Sequence, residues 1–178
     1  MDTIIVKSTY TIQQQGGKNI YIGYLVEQPL SVVILFKSNI TKQHLILNVS
    51  QWNKFISDDC FKSILCSLTT LQQSKRIKLD NDFYYKICAK SEVNLHYINE
   101  RITLNSNNLN RLKLLQPCIN ANIIEFTNKL VLYQTVFNNA SIIIKYDILY
   151  LSPECRPSSG FARPRAKILV HILGIIYL

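Results

Sequence analysis

HLILNVSQWNKF, residues 44 to 55, returns in reduced form 57 residues later as ERITLNSNNLNRL, residues 100 to 112. Leu47 aligns with Leu104, Asn48 with Asn105, Asn53 with Asn110 and Lys54 with Arg111, while Trp52 and Phe55 align with Leu109 and Leu112. Each copy reads as a short apolar strand running into a helix, with a small polar residue, Ser50 or Ser106, as its expected cap. Leu and Asn are abundant in this chain, so the echo gains weight from what precedes it. Three extended runs rich in β-branched and aromatic residues lead into each copy: 3–12, 19–28 and 30–37, then 75–80, 82–90 and 92–98. The expected fold is α+β, with four antiparallel strands followed by a helix, used twice. The units are residues 1–74 and 75–151, packed in one domain, and residues 152–178 form a basic linker and apolar tail.

Strands show opposite faces at alternate residues, so the second copy sorts by parity. Ile77, Leu79, Phe83, Tyr85, Ile87, Val93, Leu95, Tyr97, Ile102 and Leu104 form an apolar set. The complementary set holds Arg76, Lys78, Tyr84, Lys86, Lys90, Asn94, His96, Arg101 and Thr103. One face is expected to be core and the other basic, with an aromatic ring and a histidine. Cations that neutralise phosphates and a ring such as Tyr84 on which a base can stack suit a single-stranded nucleic acid. The plainer reading is the ordinary solvated face of an antiparallel sheet.

The first copy differs, because VVILF (32–36) and LIL (45–47) are apolar on both parities. Such strands need cover on both faces. Helices would supply one cover, and the apolar tail or a second subunit the other, so self-association is expected. Lys7, Thr9, Thr11, Lys18, Tyr21, Tyr24, Lys37 and Lys42 are the polar exceptions and extend the basic surface in this reading.

Trp52, Phe55, Ile56, Cys60, Ile64 and Leu68 recur at helical spacing, which makes Trp52 a packing anchor rather than a base-stacking residue. The second helical stretch, 107–137, contains Pro117, expected to kink or break it. Beyond it, SIIIKYDILYL (141–151) reads as a further strand.

The 178 residues carry a net charge of +9 and a pI near 9.4, which favours an anionic partner. Five cysteines without a C-x-x-C pair, and no apparent export signal, suggest a reduced intracellular protein; the Asn39, Asn48 and Asn139 glycosylation patterns then read as coincidence. Usage skewed to Ile, Asn, Lys, Leu and Tyr suggests an A/T-rich genome, as in many large DNA viruses or endosymbionts, and the expected location is intracellular, in a nucleus or viral replication compartment. Residues 152–178 hold three of the five prolines. The eleven-residue run 168–178 is too short to span a bilayer, which takes about 20 residues. Docking on the core, interfacial membrane contact and an altered reading frame are the alternatives for it.

LILNVSQWNKF resembles the strand-to-helix signature of the positive cofactor four family of single-stranded-DNA-binding coactivators, at Leu47, Gln51, Trp52 and Phe55. The resemblance implies four antiparallel strands followed by a helix, assembly as dimers, and a core role for the Trp. The related Whirly proteins carry two such units per chain and form tetramers, and residues 1–137 resemble that arrangement. In the second copy Asn108 and Leu109 replace the Gln-Trp pair, and no Whirly-type lysine-rich strand motif occurs.

Catalytic motifs are missing from the sequence: there is no Gly-rich phosphate loop, G-x-S-x-G or H-x-x-x-H, and His44, His96 and His171 lie far apart. Asp58 and Asp59 read as a solvated helix feature rather than a metal site. The expectation is a non-enzymatic binder of single-stranded DNA or RNA, without cofactor, metal or small-molecule substrate. Its contacts would be Arg76, Lys78, Tyr84, Lys86, Lys90, His96, Arg101 and Lys37, and it would work as a homo-oligomer in replication or transcription. The alternative is an assembly protein whose subunits meet through apolar sheet surfaces and the tail.

Overall fold

The structure, a computed structural model, describes residues 4–15, 17–27, 29–69, 76–88 and 91–150, with Val6 and residues 141–150 described through their backbone alone. Lys90 and the segment 151–178 lie outside the described residues.

Eight strands form one sheet: β1 (Ile4–Gln13), β2 (Lys18–Leu25), β3 (Ser31–Ser38), β4 (His44–Asn48), β5 (Arg76–Lys78), β6 (Phe83–Cys88), β7 (Glu92–Tyr97) and β8 (Glu100–Asn105). Their order is β1-β2-β3-β4-β8-β7-β6-β5, and every pairing is antiparallel. Two meanders therefore meet at β4 and β8, and the short edge strand β5 closes one side.

Parity decides which face is covered. Ile20, Ile22, Tyr24, Val32, Ile34, Phe36, Leu45 and Leu47 are buried on one face of the first meander, as are Phe83, Tyr85, Ile87, Val93, Leu95, Ile102 and Leu104 in the second. Helices α1 (Val49–Ile56), α2 (Asp58–Thr69) and α3 (Ser106–Tyr150) pack on that face. They pack crosswise. Ser63 of α2 hydrogen-bonds Tyr85 of β6 at 3.2 Å, whereas α3, which follows β8, crosses the first meander. There Tyr24 Oη donates to the Phe126 carbonyl (2.7 Å), Ser8 Oγ to Asn122 Oδ1 (2.9 Å), and Leu30 N to Gln134 Oε1 (2.6 Å). The core is thus shared by both meanders.

The handover from strand to helix uses Asn rather than the expected Ser. Asn48 has extended backbone, and its side chain accepts from Gln51 N (2.9 Å) while Gln51 Oε1 accepts from Asn48 N (3.0 Å). Asn105 and Asn108 repeat the reciprocal pair at 3.2 and 2.9 Å. A cap needs extended backbone and an oxygen three residues before the amide it satisfies, whereas Ser50 already lies within α1 and Ser106 within α3.

The helix expected from Ser50 onward is two helices, broken at Ser57, whose extended ψ of 145° ends α1 and whose hydroxyl accepts from Cys60 N. This break resets the phase, so Phe61 rather than Cys60 joins Ile64 and Leu68 in the core. Pro117 does not end α3, because its ring lies on an exposed face, where the carbonyl that loses its amide partner can face water. Of the strand expected at 141–151, residues 141–150 are the last part of α3 and 151 lies outside the described residues: a helix already nucleated adds one hydrogen bond per residue, which outweighs the modest cost of β-branched residues. Among the described residues no helix is long and apolar enough to cross a membrane.

Candidate nucleic-acid interface

The face opposite the helices carries one row of in-register residues that crosses all eight strands. Thr11 pairs with Asn19, Asn19 with Lys37, Lys37 with His44, and His44 with Arg101 across the junction of the meanders. Arg101 then pairs with His96, His96 with Tyr84, and Tyr84 with Lys78. Seven interstrand steps make the row about 34 Å long. A second row, Arg76, Lys86, Asn94 and Thr103, runs beside it on the second meander.

Seven of the eight expected contact residues, Lys37, Arg76, Lys78, Tyr84, Lys86, His96 and Arg101, therefore sit on this one face; Lys90 lies outside the described residues. Parity alone brings them together, since each is opposite a neighbour that also points away from the helices. Tyr24 and Lys18 do not join them. Tyr24 is fully buried under α3, where desolvation pushes its hydroxyl up to about 12. Lys18 Nζ donates to Asn108 Oδ1 (3.2 Å) on the helix side, and burial lowers its pKa.

Tyr84 is not the free stacking platform that its position on the strand suggests. The Arg76 guanidinium lies 3.7 Å from its ring centroid, and the His96 ring stacks on it at 4.8 Å with 5° between planes. Strands β5 and β7 flank β6, so these partners occupy opposite faces of the Tyr84 ring. The separation of 4.8 Å equals the ordinary strand spacing, so register alone stacks the two rings. Desolvation, then the charges of Arg101, Lys86 and Arg76, lower the His96 pKa, so the ring is neutral near pH 7. Asn94 donates to Cys88 Sγ (3.1 Å), and its buried Oδ1 has no partner among the described residues.

Positive charge dominates this surface. Glu92 and Glu100 are the acidic residues among the described strands, and Glu100 is occupied at the junction: it pairs with His44 Nε2 (3.1 Å) and accepts from Ile46 N (2.8 Å). Lys7 lies 5.1 Å from the ring of Tyr21, a cation–aromatic pair on the first meander. His44 and Asn19 also belong to the row, beyond the expected contact residues. The β3–β4 register that places His44 opposite Lys37 was the signal for one, and strand parity from Tyr21 for the other.

Elsewhere the chemistry is quiet. Burial pushes the Cys60 thiol up to about 11, which makes it a packed side chain and a poor nucleophile. Asp58 is held by Lys113 (2.7 Å) and lies below its ordinary carboxylate pKa for that reason. Trp52 is fully buried and donates its indole N–H to Asn120 (2.8 Å). Comparison with protein-family models, with curated proteins and with solved structures gave no match.

Proposed function

We infer that the chain binds single-stranded DNA or RNA across the helix-free face, without catalysing a reaction. The observation that carries this reading is the continuous row from Thr11 to Lys78, with Arg101 and Lys78 exposed and Lys37 half-buried. A phosphate chain crossing strands would meet Lys37, Arg101 and Lys78, with Arg76 and Lys86 beside it, and would release counterions at each contact. Bases would reach the hydrogen-bonding edges of Asn19, Asn94 and Thr103. Stacking on Tyr84 would require Arg76 to swing off the ring toward a phosphate, which exchanges one cation contact for another.

The reading extends to architecture: two fused units of four strands and a helix, of the positive cofactor four and Whirly type. The paired caps Asn48–Gln51 and Asn105–Asn108, at aligned positions of the sequence echo, support it. So does the meeting of the meanders at His44 and Arg101, which are also aligned positions. Homo-oligomer formation belongs to the same reading and is favoured by Leu114, Ile124, Val131 and Leu132, large apolar side chains exposed on α3.

Fluorescence anisotropy with labelled oligo-dT at low and raised salt tests the proposal. Salt-sensitive binding that weakens in Lys86→Glu with the fold retained is expected. Absence of binding, or binding indifferent to salt, would refute it.

A further inference from the structure

The junction of the meanders opens at one end. Strands β4 and β8 pair at His44 and Arg101, but farther along β4 the Ile46 N–H is satisfied by the Glu100 carboxylate instead of a strand neighbour. A cavity of about 560 Å³ lies in this opening. Leu25, Val33 and Ile46 line it from the helix-free face of the first meander, and Tyr97 and Ile98 from the β7–β8 turn. Ile98 carries two oddities. It is 63% exposed, and its φ of 54° places a β-branched side chain in the left-handed region that such residues avoid. The turn holds an apolar side chain at the cavity rim where a Gly would be unstrained.

We propose that the apolar segment 168–178 of the same chain docks in this cavity, against Leu25, Val33 and Ile46. Three features select this occupant. Its composition fits, being a run of eleven residues without a formal charge, matched to strands that are apolar on both faces. Arg163, Arg165 and Lys167 precede it, and the exposed Glu27 lies at the rim. Chain geometry also fits: α3 carries the chain to the β2–β3 loop, where Gln134 holds Leu30, between the cavity residues Glu27 and Ser31. The helix continues about 24 Å past Gln134, and the seventeen residues 151–167 reach back up to about 56 Å. The cavity residues Val33 and Ile46 lie farther along β3 and β4 than Lys37 and His44, so docking there leaves the row from Thr11 to Lys78 free and the proposal stands apart from nucleic-acid binding.

Photo-crosslinking in the full chain tests it. With p-benzoylphenylalanine in place of Ile98, and separately of Ile46, irradiation is expected to join the probe to a peptide within 168–178 in a species of monomer mass. Val170→Asp with Ile172→Asp should abolish that crosslink while circular dichroism shows the fold retained. Crosslinks only to other peptides, a product of dimer mass, or no crosslink from either position would overturn the proposal.

Discussion

Tyr84 and His96, neighbours on adjacent strands, stack at 4.8 Å with their rings 5° from parallel, and Arg76 closes the other side of Tyr84 at 3.7 Å. Burial in the stack, and then the charges of Arg101, Lys86 and Arg76, disfavour protonation of His96.

Acid should therefore weaken the free protein through His96. Its folded pKa lies below the unfolded 6.5, so its contribution to stability is fully present above pH 6.5 and declines as pH falls toward the folded value. Chemical denaturation between pH 7.5 and 5 should show this loss, and His96→Gln should flatten it. An unchanged slope in the variant would contradict the assignment. A bound phosphate would favour the protonated ring, so oligo-dT affinity should rise over the same interval.

Reversing Lys37 and Arg101 together to Glu should weaken oligo-dT binding at low salt by at least about tenfold. It should also reduce the slope of log affinity against log salt by about 1.4, roughly 0.7 for each lost phosphate contact. Lys129→Glu is the control, because Lys129 pairs with Glu125 on α3, away from the row. Equal effects from both variants would show that net charge alone sets the affinity.

Asn48→Ala and Asn105→Ala should each cost about 1 kcal/mol, the usual value of a helix cap. The two losses should be similar, since Gln51 and Asn108 are both buried and each gives up the same kind of backbone N–H bond. Urea unfolding of the two variants and of Ser50→Ala, expected near neutral, checks this.

Trp52→Ala should cost about 3–5 kcal/mol, because the indole packs against Phe36 and Phe55 in a fully buried site. Trp52→Phe should lose less, mainly the indole bond to Asn120. Neither change should alter oligo-dT affinity once folded protein is compared, since the ring lies on the helix side.

Crosswise packing predicts that neither half folds alone. Residues 1–74 leave the face under α3 bare, and residues 75–150 leave Tyr85 without α2. Each fragment should lack cooperative thermal unfolding by circular dichroism, and mixing should restore it. A cooperative transition in an isolated fragment would contradict the shared core.

The amino-acid sequence by itself determined the strands, their buried parity and the burial of Trp52, because alternation of apolar residues is a local property that one buried face enforces. It also placed Lys37, Arg76, Lys78, Tyr84, Lys86, His96 and Arg101 on one face, since parity carries from strand to strand once the turns set the register. Caps were less legible: Asn48 and Ser50 offer similar side-chain oxygens, and only the backbone at the strand end chooses between them. The fate of 141–150 was hidden as well, because β-branched residues suit strand or helix and the helix upstream decides. Tertiary structure alone decided that α2 and α3 pack crosswise, that His44 meets Arg101, and that both faces of Tyr84 are occupied. Those are relations between residues far apart in the chain. They depend on strand order and register across the whole sheet, which no local pattern encodes.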